Sequence, residues 1–212
     1  MARRLRGTPG MAKSPLIQST KGFVRLNKAR AAGQSHTVQR LARAGKLVKI
    51  RPGLYRTTRS EGRPHQDLID VCTAIPGGVI CLVSALAYHG LTTTMPKEAW
   101  VAIPRNAYAP VMCFPCRFIR MGDGIHQAGV ETLKVEQQGQ LRIYGRAVSI
   151  CQALHYRERI GLDLALEALR TYLRQGGSIR TLEEWAEVCR VRKTLATYLE
   201  AILPPLCHSL HE

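Results

Sequence analysis

No aspartate or glutamate occurs before Glu61. Residues 1–60 carry 15 Lys and Arg, whereas the remaining residues hold 16 basic and 15 acidic side chains, so the net charge of +16 divides as +15 and +1. A segment of this kind cannot steady its helices with acid–base pairs one turn apart, or with acids at helix starts. It must be held by an apolar core, and its self-repulsion falls when a polyanion neutralises it. The split therefore predicts two modules: an N-terminal one for nucleic acid and a nearly neutral remainder.

Hydrophobic residues make up 45% of the 212, which is enough for a sizeable core and argues against wholesale disorder. No apolar run approaches the ~20 residues of a membrane span, so no membrane partner is expected. The basic start Met1-Ala-Arg-Arg-Leu-Arg has no apolar region after it and does not read as a secretory signal; Met11 offers a second start. Seven cysteines, an odd number, lie mostly in apolar contexts such as "DVCTAI" and "SICQAL". They read as reduced, buried thiols of a cytoplasmic protein rather than a disulfide frame.

Along the first module, residues 1–13 read as a basic arm and 14–21 as a short helix with Pro15 near its start. "FVR" reads as a brief strand. Asn27 is expected to cap a helix "KARAA" that ends at Gly33, and Ser35 to cap a helix "HTVQRLARA" that ends at Gly45. In this last helix His36, Gln39, Arg40 and Arg43 share one face, while Val38, Leu41 and Ala42 share the opposite one. "KLVKIRPGLYRT" (46–57) cannot continue as helix through Pro52-Gly53. It reads as a hairpin with a type II turn at Arg51-Pro52-Gly53-Leu54, with Val48 and Ile50 facing one way and Lys49 and Arg51 the other. Helix, glycine turn, helix and basic hairpin follow one another in the order of a winged helix-turn-helix.

A linker is expected at 57–64. Then come a helix over 65–75, a "PGG" turn and a helix over 84–90 capped by Ser84. Strands are expected at 99–104, 116–121, 129–136 and 140–145. Helices follow at 146–160, 162–175, 181–190 and 192–203, with Pro204-Pro205 ending the last. Leu162, Ala165, Leu166, Leu169 and Leu173 are expected to form one buried stripe. The fold class is α+β: a winged helix-turn-helix over 14–58, then a mixed α/β domain over 64–203 that ends in helices.

"SHTVQRLARAGKLVKIRPGLYR" resembles the N-terminal winged module of the AbiE-type antitoxins, the antitoxin halves of type IV abortive-infection toxin–antitoxin systems. "GVICLVSALAYHGLT" with "AWVAIPR", and "IYGRAVSICQALHYRERIGLDLALEALRTYLRQG", resemble parts of that family's second domain. The resemblance implies a DNA-binding transcriptional autorepressor whose second domain counters a nucleotidyltransferase toxin; it leaves open whether that toxin is touched. Two other readings stay open beside it. One is a plain winged-helix transcription factor with a ligand-sensing or oligomerisation domain. The other is a nucleic-acid-processing enzyme.

The candidate DNA-binding residues are Lys28, Arg30, Ser35, His36, Thr37, Gln39, Arg40, Arg43, Lys46, Lys49, Arg51 and Arg56. Lys28, Arg30, Lys46, Lys49, Arg51 and Arg56 are cast as phosphate contacts. Gln39, Arg40 and Arg43, helped by His36, are cast as base readers, since Gln suits adenine and Arg guanine. The bland alternative is a solvated charged face. Against it stand the absence of acids over 60 residues and the placement of the cations on one helix face and a hairpin. The partner is double-stranded DNA, the protein's own operator. Operators of such modules are often repeats, which implies two copies per site, as a dimer or by cooperative loading.

Other motifs are assigned bland roles. Cys113-Phe-Pro-Cys116 is a lone CxxC without two further ligands at zinc spacing. His89 in "AYHGL" lies at a helix end, where an imidazolium suits the dipole. Cys207, His208 and His211 are read as solvated tail residues. In "ETLKVEQQ" Glu131 and Lys134, three apart, fall on opposite faces of a strand, unlike a nuclease's acid-x-Lys pair. "PGG" lacks the Lys and Ser/Thr of a phosphate loop. No catalytic residue, metal or cofactor is therefore expected.

Overall fold

The computed structural model describes residues 22–58, 64–135 and 139–202. The expected helix over 14–21, the basic arm, most of the linker and the tail with Pro204-Pro205, Cys207, His208 and His211 lie outside them. The chain divides into two compact units, residues 1–62 and 63–212.

In the first unit β1 (Phe23–Arg25) leads directly into α1 (Leu26–Ala31), and α2 (Ser35–Arg43) follows after a short turn. A hairpin of β2 (Leu47–Arg51) and β3 (Leu54–Thr57) completes it. The three strands pair antiparallel in the order β1-β3-β2. Val24, Ala29, Val38 and Leu47 form the core, with Leu26, Leu41, Ala42 and Tyr55 packed against it. Gly33 and Gly45 take the positive φ that stops each helix, at +66° and +68°. Gly53 at +80° fits the third position of the type II turn. Its carbonyl accepts from Leu26 N at 2.8 Å, tying the hairpin tip to the start of α1.

Three local expectations are corrected here. Asn27 lies inside α1 rather than capping it, and its Oδ1 accepts from the next amide, Lys28 N, at 2.8 Å. Ser35 is the first helical residue of α2; Gln34 is the cap residue and makes no side-chain cap bond. The β2 strand does not alternate as expected, because its register shifts between Lys49 and Arg51. That irregularity buries both Leu47 and Ile50, residues of opposite parity, and leaves Val48 half-buried.

The second unit is a five-stranded mixed sheet in the order β6-β5-β4-β8-β7, with helices packed on it. Its elements are α3 (Gln66–Ala74), β4 (Val79–Ile80), α4 (Leu82–Tyr88), β5 (Ala99–Pro104), β6 (Cys116–Met121), α5 (Asp123–Gln127), β7 (Val130–Val135) and β8 (Gly139–Tyr144). Then come α6 (Arg146–His155), α7 (Arg157–Ile160), α8 (Leu162–Arg174), α9 (Ile179–Val188) and α10 (Arg192–Ile202). The central strands β4 and β8 run parallel; β4 pairs antiparallel with β5, and β8 with β7. Helix α6 crosses the middle of this unit, every residue from Ala147 to Leu154 being buried.

Four strands and most helices fall where periodicity places them. The two-residue β4 and the short α5 carry too little pattern to be seen in sequence. The expected helix over 146–160 is broken at Tyr156, between α6 and α7. Ser84 does not cap α4, which starts two residues earlier; its Oγ accepts from Trp100 N at 3.0 Å and so joins α4 to β5. On α8 the buried residues are Ala165, Ala168, Leu169 and Tyr172, so the stripe is rotated from the expected one and Leu162 is 39% exposed.

His126 is buried at 1% exposure; Gln127 Nε2 donates to its Nδ1 at 3.1 Å. Burial holds its pKa below the ordinary 6.5, and does the same for half-buried His89. The unfolded chain therefore takes up these protons first as pH falls. Stability is full above pH 6.5 and is lost as pH drops through the folded-state values, by up to about 1.4 kcal/mol per pH unit for each histidine. Urea titrations at pH 7 and pH 5 are expected to show this loss, and His126→Asn is expected to reduce its slope with pH. An equal slope in the variant would assign the acid sensitivity elsewhere.

Candidate nucleic-acid interface

The interface is built on α2. Its nine residues put Val38 in the core and Leu41 and Ala42 partly under cover, which leaves the opposite face to solvent. His36, Gln39, Arg40 and Arg43 are all exposed on that face. Ser35 and Thr37, at the helix start, are half-buried. Among the described residues no ion pair restrains Arg40 or Arg43, and the first unit's described residues contain no carboxylate side chain. Their guanidinium groups are therefore desolvated only when a ligand arrives.

Lys28 and Arg30 on α1 are exposed, as are Lys46 at the start of the hairpin and Lys49 on β2. Arg51 is half-buried beside the turn, and its Nε lies out of solvent without a hydrogen-bond partner among the described residues. Arg56 is placed differently from its expected role. The hairpin reading puts Arg56 on the returning strand of the wing, and β1 pairs on the far side of that strand, β3, making it the central one. Arg56 sits opposite Phe23 in that pairing, is 7% exposed, and its Nη1 donates to Thr57 O at 3.4 Å. It serves the module's interior rather than its rim.

One comparison bears directly on this arrangement. Residues 14–58 match a family model described as "Transcriptional regulator, AbiEi antitoxin". The N-terminal module is thus similar to the AbiEi antitoxin regulators over those residues. No curated protein matches the chain. The matched segment takes in α1, the turn, α2 and both strands of the hairpin, so the exposed basic face lies wholly within it.

The other singled-out residues lie in the second unit. Cys113 is exposed and Cys116 opens β6, as the strand reading of "CRFIRM" requires. Burial, then the charges of Asp67 and Glu98, push the Cys116 thiol up to about 12, far from a reactive thiolate. His89 closes α4, but not as the imidazolium expected there. Its Nε2 donates to Tyr144 O at 2.7 Å, and burial favours the neutral ring. Among the described residues no three His, Cys, Asp or Glu side chains gather as a metal site. Nor is any helix among them long and apolar enough to cross a membrane.

Proposed function

We propose that the protein is a DNA-binding autorepressor that acts as the antitoxin of an abortive-infection toxin–antitoxin pair, opposing a nucleotidyltransferase toxin. The exposed, acid-free basic face of α2, within a module of AbiEi regulator type, carries this reading. Helix α2 enters the major groove. Gln39, Arg40 and Arg43 reach base edges, with His36 beside them. Lys28, Arg30, Lys46, Lys49 and Arg51 hold phosphates along the flanks, and Ser35 and Thr37 donate at the helix start. The second domain, residues 64–203, supplies the antitoxin role, which the resemblance alone suggests.

Fluorescence anisotropy with duplex from upstream of the gene, against scrambled duplex and RNA, tests the DNA half across a salt series. A preference for the upstream duplex with a steep salt slope is expected. Equal binding to all three would reduce the module to a general polyanion clamp. Lys49→Ala is expected to weaken every duplex alike and to make the salt slope shallower by about one unit, the signature of one lost phosphate contact. A neighbouring nucleotidyltransferase gene, and rescue of cells expressing it, test the antitoxin half.

A further inference from the structure

The second domain contains a cleft of about 580 Å³ that none of the motifs in the sequence announces. Its volume lies within the range of small-molecule sites. The end of α4, the start of β7, the first turn of α6 and the end of α8 meet there, with α9 behind them. Its polar lining is Arg146, His89, Glu131, Gln175 and Thr181. Its apolar lining mixes aliphatic side chains, Val130, Leu133 and Val148, with the rings of Tyr88, Tyr172 and Trp185.

Arg146 is the centre of the site. Its guanidinium lies 5.6 Å from the Tyr172 ring centroid, and Nη2 donates to Gln175 Oε1. Its Nε is out of solvent and has no hydrogen-bond partner among the described residues. Among the described residues it forms no ion pair, although Glu131 lines the same cleft. Arg146 is therefore aligned by a ring and an amide rather than by a contacting carboxylate among the described residues. Helix α6 begins at this point without a side-chain cap, which adds its positive end to the same spot.

His89 and Glu131 contribute the opposite kind of group. With Nε2–H committed to Tyr144 O, a neutral His89 ring has only Nδ1 left, and that atom accepts. The Glu131 carboxylate accepts as well. Two glycines let lining groups approach the backbone closely. A Cβ on Gly177 would overlap the Tyr172 ring, and one on Gly145 would stand 2.5 Å from Glu131 Oε1.

We propose that this cleft binds a small organic anion whose carboxylate or phosphate group is held by Arg146 and whose flat, donor-bearing body packs on the aromatic wall. Arginine is suited to both anions through its planar fork. A flat body matches the rings, and its N–H or O–H groups meet Glu131 and His89 Nδ1.

Trp185 supplies the reporter. The full chain is titrated with adenosine 5′-monophosphate, 4-hydroxybenzoate, adenosine and inorganic phosphate, followed by tryptophan fluorescence and calorimetry. The salt is kept at 0.3 M to suppress binding to the basic N-terminal module. Saturable binding by either organic anion is expected, with adenosine and inorganic phosphate at least about ten-fold weaker. The preferred anion distinguishes a phosphate ligand from a carboxylate one. Arg146→Gln is expected to weaken that ligand at least about ten-fold with an unchanged melting temperature, and Arg146→Lys to fall between. The proposal fails if neither organic anion saturates below 10 mM, if inorganic phosphate binds as tightly, or if a folded Arg146→Gln protein binds as well as the parent.

Discussion

Replacing Arg40 and Arg43 together by alanine is expected to erase the preference for the upstream duplex over scrambled DNA. Each side chain is exposed on the face of α2 opposite Val38, Leu41 and Ala42, and neither is held by an ion pair among the described residues. A bidentate arginine–guanine contact discriminates by about 1–3 kcal/mol, so the pair together supplies about 2–6 kcal/mol, or roughly thirty-fold to twenty-five-thousand-fold. Binding to scrambled duplex should fall far less, because the phosphate contacts proposed for Lys28, Arg30, Lys46 and Lys49 are left in place. Folding should hardly change, since exposed substitutions away from caps and cores usually stay within about 0.5 kcal/mol. Competition anisotropy with both duplexes reads the ratio directly. If the double variant still discriminates as the parent does, α2 is not the reading helix. The specificity would then have to come from another element or from DNA shape.

The legible part of this protein is the part where chemistry recurs at a helical or strand period. The division of α2 into His36, Gln39, Arg40 and Arg43 on one side and Val38, Leu41 and Ala42 on the other follows from spacing alone, and solvent exposure follows it residue by residue. The turn at Pro52-Gly53 is similarly local. The burial of Arg56 is not local, because it depends on β1, a strand distant in sequence that turns a two-stranded wing into a three-stranded sheet. A register shift at Lys49–Arg51 has no sequence marker either, and it decides which of Leu47, Val48 and Ile50 point inward.

The cleft was illegible for the same reason on a larger scale. His89, Glu131, Arg146, Tyr172 and Trp185 span almost a hundred residues and belong to five different elements or their ends. Each has an ordinary explanation by itself: a helix end, a strand surface, a helix start, a core ring. Only the pairing of β7 with β8, and the entry of α6 directly after β8, bring Glu131 and Arg146 to one wall. Glycine gave the one available hint. "YGR" at 144–146 and "QGG" at 175–177 place residues without side chains at two points where the chain crowds a ring or a carboxylate.

Leu154→Ala is expected to have the largest effect on stability. Leu154 is fully buried at the end of α6, within the cluster that also contains Leu86, Ile150, Leu169, Leu182 and Leu195. Elements on several sides meet there, so the surroundings cannot close over the lost methyl groups, and a cost of about 3–5 kcal/mol is expected. For a chain of this size that is a melting-temperature drop of roughly 6–20 °C. Leu154→Met, which conserves volume, should cost less than about 1.5 kcal/mol. Leu162→Ala is the informative comparison. Spacing places Leu162 in the buried stripe of α8, whereas the fold leaves it 39% exposed and buries Ala168 and Tyr172 instead. Its loss should cost no more than about 0.5 kcal/mol. Thermal unfolding of the three variants decides between the two stripes: comparable losses for Leu154→Ala and Leu162→Ala would return Leu162 to the core and rotate α8 back toward the face its sequence period suggests.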